Sequence, residues 1–154
     1  ISREREQLIA ERVENFEQSA AQVLAGRSLY EQHCSMCHRI EEGGGMIGPQ
    51  LDGIGNWGLN ALATKVLDPN RNISENFRTY TLTLKNGQTR SGLYRREEGH
   101  LLVMADQSGK EFSVPKNDIA EQTASTITLM PDYFSTALNQ EQFNDLMNYL
   151  LSLR

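Results

Sequence analysis

The chain of 154 residues has two cysteines, one tryptophan and four lysines, and each shortage excludes something. Cys34 and Cys37 are too close together to staple a fold, since a disulfide closing so short a loop adds little to global stability. The lysines are Lys65, Lys85, Lys110 and Lys116, and the net charge is −5. That balance lacks the basic footprint of a nucleic-acid binder, and it leaves no lysine ring for docking an acidic partner. No run of about 18 apolar residues occurs, so no transmembrane segment is predicted. Internal repeats and low-complexity tracts are missing as well. No export signal is visible, but the chain opens at Ile1 instead of Met, and we expect a processed protein or a piece of a longer one. The length suits one domain with a small appendage.

What is present falls into helical and extended stretches. Ile9, Val13, Phe16, Ala20 and Val23 recur at three- and four-residue intervals, which predicts an amphipathic helix over residues 2–24. Residues 1–25 are thus an N-terminal helix or linker, and residues 26–154 the main domain. The helix either packs on that domain or docks towards another. A second helix is expected from about Arg27 into Cys34. Residues 41–58 hold seven of the twelve glycines together with Pro49, the composition of a loop that wraps something. A short helix near Asn60–Leu67 stops at the Asp68-Pro69 step.

Residues 78–115 change character. Tyr80, Leu82 and Leu84 alternate with threonines, and Asn86-Gly87 offers a two-residue hairpin turn. Further strands are predicted at Ser91–Arg96, His100–Ala105 and Glu111–Val114. The expectation is an antiparallel β meander of about four strands, inserted at about 77–121 into a mainly α domain. Its apolar face (Tyr80, Leu82, Leu84, Phe112, Val114) is expected to lie on the helical core, the rival being a docking surface; Arg95-Arg96 is expected to form a solvated strand end or a partner-docking patch. In the last helix Asn139 and Gln142 make a capping-box pattern, and Phe143, Leu146, Met147, Leu150 and Leu153 share one face.

The chemistry concentrates in Cys34-Ser35-Met36-Cys37-His38. This is C-x-x-C-H, the attachment pattern of haem c. Two thiols one helical turn apart can each add to a vinyl group, and the following imidazole then lies within reach of the iron. A zinc site would need two more ligands, and neither a second cysteine pair nor a spaced histidine pair exists. A thioredoxin-like site would want a βαβ setting, whereas here a helix precedes the motif and a glycine loop follows it.

On CSMCH, Leu29-Tyr30, Gly48-Pro49-Gln50-Leu51, Met130-Pro131 and Tyr149-Leu150, the chain resembles class I c-type cytochromes. From about Gly26 to Leu153 it is also similar to a haem-binding domain at the C-terminus of large exported bacterial proteins, often carrying a propeller-type dehydrogenase. Ile54-Gly55, Leu67-Asp68-Pro69-Asn70, Lys85-Asn86-Gly87-Gln88, Asp118-Ile119 and Leu129-Met130-Pro131 carry that likeness. The resemblance implies a cytochrome-type helical fold around one covalently bound haem c, with His38 as axial ligand. It also implies electron transfer, not catalysis. Donors would be a fused or separate dehydrogenase or another redox protein; the acceptor would be a further carrier or a terminal oxidase. The β insertion, lying on the helical core, would cover a haem edge; in the rival reading it is a docking surface for a dehydrogenase domain. The location would be periplasmic or otherwise exported.

The sixth ligand is assigned to Met130, where similar cytochromes place a methionine. Met36 and His33 adjoin the motif, Met46 would have to reach around the ring edge, Met104 falls in a strand, and His100 is a minor alternative. Pro49 lies where similar cytochromes supply a carbonyl to the ligand histidine. Trp57 and Arg71 are candidates for haem propionates, with a structural or exposed role equally open. Gly26 facing Tyr149 would let the first and last cytochrome helices cross closely. The competing function is a haem enzyme, or a gas- or redox-sensing domain, with an open or displaceable sixth site.

Overall fold

A computed structural model of the chain describes residues 2–154. Its helices are α1 (Ser2–Glu14), α2 (Val23–His33), α3 (Leu59–Leu67), the short α4 (Phe134–Ala137) and α5 (Gln140–Ser152). Its strands are β1 (Arg39–Ile40), β2 (Gly43–Gly44), β3 (Thr79–Leu84), β4 (Thr89–Glu98), β5 (Leu101–Ala105), β6 (Glu111–Pro115) and β7 (Ile119–Ala124). No helix among the described residues is long and apolar enough to cross a membrane.

The expected helix over residues 2–24 is two helices. The apolar stripe continues through Phe16 and Val23, but the backbone does not. Asn148 of α5 accepts from the Ser19 N–H at 2.8 Å and donates to the Glu17 carbonyl at 3.0 Å, drawing residues 15–19 out of the helix. Gly26 consequently lies inside α2, not past the end of a preceding helix. The α1 helix packs on its own domain: Ile9 is buried in the helical core and Val13 packs against it, while Arg5 donates to the Leu67 carbonyl.

That core is made by α2, α3 and α5 around Tyr30, Leu62, Leu67, Phe134, Phe143 and Met147. The capping box of α5 is formed, with the Asn139 side chain accepting from the Gln142 N–H at 2.8 Å. α2 crosses α5 at Gly26, where an added Cβ would lie 1.9 Å from the Asp145 carbonyl oxygen and 2.7 Å from Tyr149 Cβ. Only a residue with no side chain permits so short a separation. Beside the crossing the Tyr30 and Tyr149 rings sit 5.6 Å apart.

The chain is not mainly α: it is 41% helix and 24% strand. The insertion is not a four-stranded meander either, because β3–β7 form a five-stranded antiparallel sheet in the order β6-β5-β4-β3-β7. β7 follows the meander and returns to pair with β3. It was illegible beforehand because five of its six residues are exposed; a strand held by backbone bonds at a sheet edge needs no hydrophobic alternation. The β3–β4 turn also differs. Leu84 accepts from the Gly87 N–H at 2.9 Å and donates to Gln88 at 2.8 Å, and Gly87 has φ +88°. This is a three-residue loop ending in a left-handed glycine, in which Asn86 avoids positive φ.

The insertion buries its apolar face on itself. Leu82, Leu102, Met104 and Val114 form a separate core, with Tyr80, Leu84, Tyr94, Phe112 and Ile119 around it. The expected contact with the helical core is therefore not made by these residues. The opposite face supplies Leu93 and Ala105, which pack with Ile47 of the glycine loop and with Cys37, Phe77 and Leu129.

Gly26→Ala should lower the unfolding free energy by about 1–3 kcal/mol, the usual cost of overpacking. The check is a denaturant titration followed by circular dichroism; an unchanged midpoint would mean that the helices part freely.

Candidate haem-attachment site

The motif prolongs α2 by a further turn. Cys34 N–H bonds to the Tyr30 carbonyl at 2.8 Å, and His38 N–H to the Cys34 carbonyl at 2.9 Å. Backbone continuing in this way spaces the two cysteines one turn apart, with His38 next in the chain. Cys34 and Cys37 are free thiols, both partly buried. Burial, and then the neighbouring Cys37, pushes the Cys34 thiol up to about 11. Burial raises Cys37 too, so both are protonated near neutral pH.

The glycine loop runs back along this turn at backbone contact. Gly45 N–H donates to the Ser35 carbonyl at 2.8 Å, Gly48 N–H to Cys37 at 2.7 Å and Leu51 N–H to Arg39 at 2.8 Å. A Cβ on Gly45 would stand 1.9 Å from the Met36 carbonyl oxygen, and one on Gly48 would stand 2.9 Å from His38 Cε1. This closeness explains why glycines crowd the segment. The Tyr30 hydroxyl donates to the His38 carbonyl at 3.0 Å. Burial, followed by Tyr149, lifts that phenol to about 12, so it stays a donor at ordinary pH.

His38 Nδ1 lies 2.8 Å from the Pro49 carbonyl oxygen. A carbonyl only accepts, so Nδ1 carries the proton and Nε2 keeps its lone pair. Burial disfavours the imidazolium and lowers the His38 pKa, partly offset by the bond to Pro49. A neutral imidazole with Nε2 available and two adjacent thiols is the donor set that haem c requires. Among the described residues no group of three or more His, Cys, Asp or Glu side chains is placed to hold a metal ion.

The other candidates are distributed unevenly. Met130 is partly buried against the helical core that Cys34 also touches, and Leu129 beside it packs with Cys37. Residues 125–130 are held there by Thr128 N–H on Asn70 Oδ1 at 2.8 Å and by Thr79 on the Ile127 carbonyl at 3.3 Å. Met104 is fully buried in the sheet core, whereas Met36 and Met46 are exposed. His33 packs edge-on against Phe134, and His100 lies on the surface. Trp57 is 57% exposed, at the end of a 3₁₀ turn (Ile54–Trp57) that docks on α5 through Gly55. Arg71 Nε–H donates to Asp68 at 2.9 Å, and its guanidinium lies 3.9 Å from Glu6 of α1. Its polar contacts go to α1 and the end of α3, none to the motif or its loop.

Sequence reasoning overlooked what Tyr30, Gly45 and Arg95 contribute here. The first two stood in recognisable segments, but only the folded backbone shows what they touch. In the sequence Arg95 reads with Arg96 as a solvated strand end or a docking patch, because the bulge that separates the two is a property of the paired strands.

A single-turn double thiol followed by a carbonyl-oriented imidazole fits the donor set of a c-type haem site. The family model described as Cytochrome c matches residues 23–103, more than half of the chain, and the chain belongs to the cytochrome c family. The match begins at the first residue of α2 and runs into β5. Membership implies covalently bound haem c and haem-based electron transfer with redox partners. No curated protein matches the chain.

Gly48→Ala should force the His38 ring off Pro49, costing about 1–3 kcal/mol by overpacking and altering the haem absorption bands. Gly58→Ala is the control: its Cβ meets open space but the backbone has φ +86° and ψ 166°, so it should cost a similar strain of about 1–3 kcal/mol and leave the spectrum intact.

Proposed function

We propose that Cys34 and Cys37 carry one haem c through two thioethers, that the iron is held between His38 and Met130, and that the chain relays single electrons. The observation that carries this reading is the His38 Nδ1–Pro49 contact at 2.8 Å, which leaves Nε2 free to ligate. Bound there, the group supplies a ferric–ferrous couple. Pro49 holds the ring angle and strengthens Nε2 as a donor. Cys34 and Cys37 fix the group's position, and Gly48 lets the loop lie flat on the imidazole. Met130 is supported by its packing on the same core as Cys34, and a thioether ligand raises the reduction potential. With His38 and Met130 both holding the iron, no place would be left for a substrate, which favours a carrier over a haem enzyme or sensor.

Trp57 and Arg71 are proposed to face the propionates, Arg71 with N–H groups to spare beyond its bond to Asp68. Electrons come from a dehydrogenase of the propeller type, fused to this chain or separate, and leave to another carrier or a terminal oxidase. Haem c is attached outside the bacterial cytoplasm, so the protein works in the periplasm or is otherwise exported.

Two measurements test this reading. The colour should stay with the protein through acid–acetone extraction, because thioethers survive unfolding; colour that leaves with the solvent refutes covalent attachment. Met130→Ala should keep the haem attached, abolish methionine–iron absorbance, admit carbon monoxide and lower the potential. An unchanged spectrum would move the ligand to another residue.

A further inference from the structure

Arg95 is the extra residue in a bulge. Across β4 and β5, Leu93 faces Ala105, Tyr94 faces Met104 and Arg96 faces Val103, so Arg95 has no partner. A bulge re-aims its side chain, here from the strand segment whose Leu93 packs on Ile47. The Arg95 side chain is 23% exposed, and its Nε is buried without a hydrogen-bond partner. The carboxylate beside it belongs to Glu111, at 4.0 Å from Nε. Both oxygens of Glu111 already accept from Arg96, at 2.8 and 3.0 Å. Arg95 instead donates from Nη2 to the Met46 carbonyl at 2.9 Å. One carbonyl bond, beside a carboxylate at 4.0 Å that Arg96 already occupies, is poor compensation for desolvating a guanidinium if the sheet alone gains, so the bond serves the loop.

That loop is the one that orients His38. Counting on from Met46, Ile47 is buried against the sheet, Gly48 lies on the imidazole and Pro49 accepts from Nδ1–H. The motif backbone holds the loop from one side through Gly45 and Gly48. On the other side stand Leu93, Ala105 and Arg95. The geometry points to Arg95 as a positioning residue for His38: by clamping the Met46 carbonyl it keeps Gly48 and Pro49 on the imidazole, making the inserted sheet the outer jaw of the ligand loop. The charge-assisted bond is stronger than a neutral one, and a shift of the loop changes the angle at Nδ1–H directly. This inference rests on the reading of His38 as the axial ligand.

The test is proton NMR of the reduced holoprotein, following the His38 ring protons and the exchange of Nδ1–H with solvent. Upfield-shifted ring protons in the unaltered protein establish ligation; their absence overturns the ligand reading, and the clamp with it, before any variant is made. Given ligation, Arg95→Ala should speed Nδ1–H exchange by about tenfold, as for the loss of one hydrogen bond. The potential should rise too, because a less tightly held imidazole donates less to the iron. Arg95→Lys keeps the charge but not the planar fork and should fall between the two. Lys116→Ala breaks only the exposed pair with Glu97 and should match the unaltered protein. So should Leu82→Ala, which loosens the sheet core without touching the loop. Unchanged exchange in Arg95→Ala, with ligation intact, overturns the clamp alone. Equal acceleration in Leu82→Ala overturns it as well, since the effect would then be general loosening. Where Arg95→Ala does not fold, Arg95→Lys decides: exchange and potential identical to those of the unaltered protein overturn the proposal.

Discussion

The structure depends on the close apposition of two backbones, the CSMCH turn and the glycine loop that doubles back on it. Three main-chain bonds, from Gly45, Gly48 and Leu51 to Ser35, Cys37 and Arg39, hold the pair together. A side chain at position 45 or 48 would collide with the motif. The imidazole of His38 is therefore aimed by the loop's position, and everything that holds the loop also acts on that ring. Tyr30 extends the same logic to the helices. Its ring lies beside Tyr149, near the point where Gly26 lets α2 cross α5, and its hydroxyl holds the His38 carbonyl. The helix crossing and the CSMCH turn are one connected piece of packing.

The sheet is a second body of structure with its own core, closed around Leu82, Leu102 and Met104. It meets the rest of the chain through a small cluster, Ile47, Leu93 and Ala105, together with Cys37 and Leu129. That cluster lies against the Cys37 side of the motif. An inserted element that buried its main face on the helical core would be hard to alter without harming the fold. One that packs internally and touches the site with a few residues can tune the site while the helices stay as they are.

Legibility followed the range of the interactions. Alternation over Thr79–Leu84 identified β3, and the Asn139–Gln142 pattern identified the start of α5, because each is a local bargain between neighbours. β7 escaped notice because an exposed edge strand is held by another strand's backbone. The break between α1 and α2 escaped because its cause is Asn148, more than a hundred residues away. Asn86-Gly87 was recognised as a turn but assigned the wrong length, since the turn's bonds run through Leu84 and Gln88. Arg95-Arg96 looked like one solvated pair. A bulge separates their fates, sending one side chain to Glu111 and the other to the haem loop.

By itself the sequence determined the motif: two cysteines one turn apart, followed by a histidine, are complete within five residues, and no distant contact is needed to make that pattern. Tertiary structure decided how the histidine is held, which face of the sheet meets the motif, and where the chain's charges fall. Those depend on carbonyls, and a carbonyl belongs to every residue alike. Only folding shows that the one His38 meets is Pro49's, and that the one Arg95 meets is Met46's.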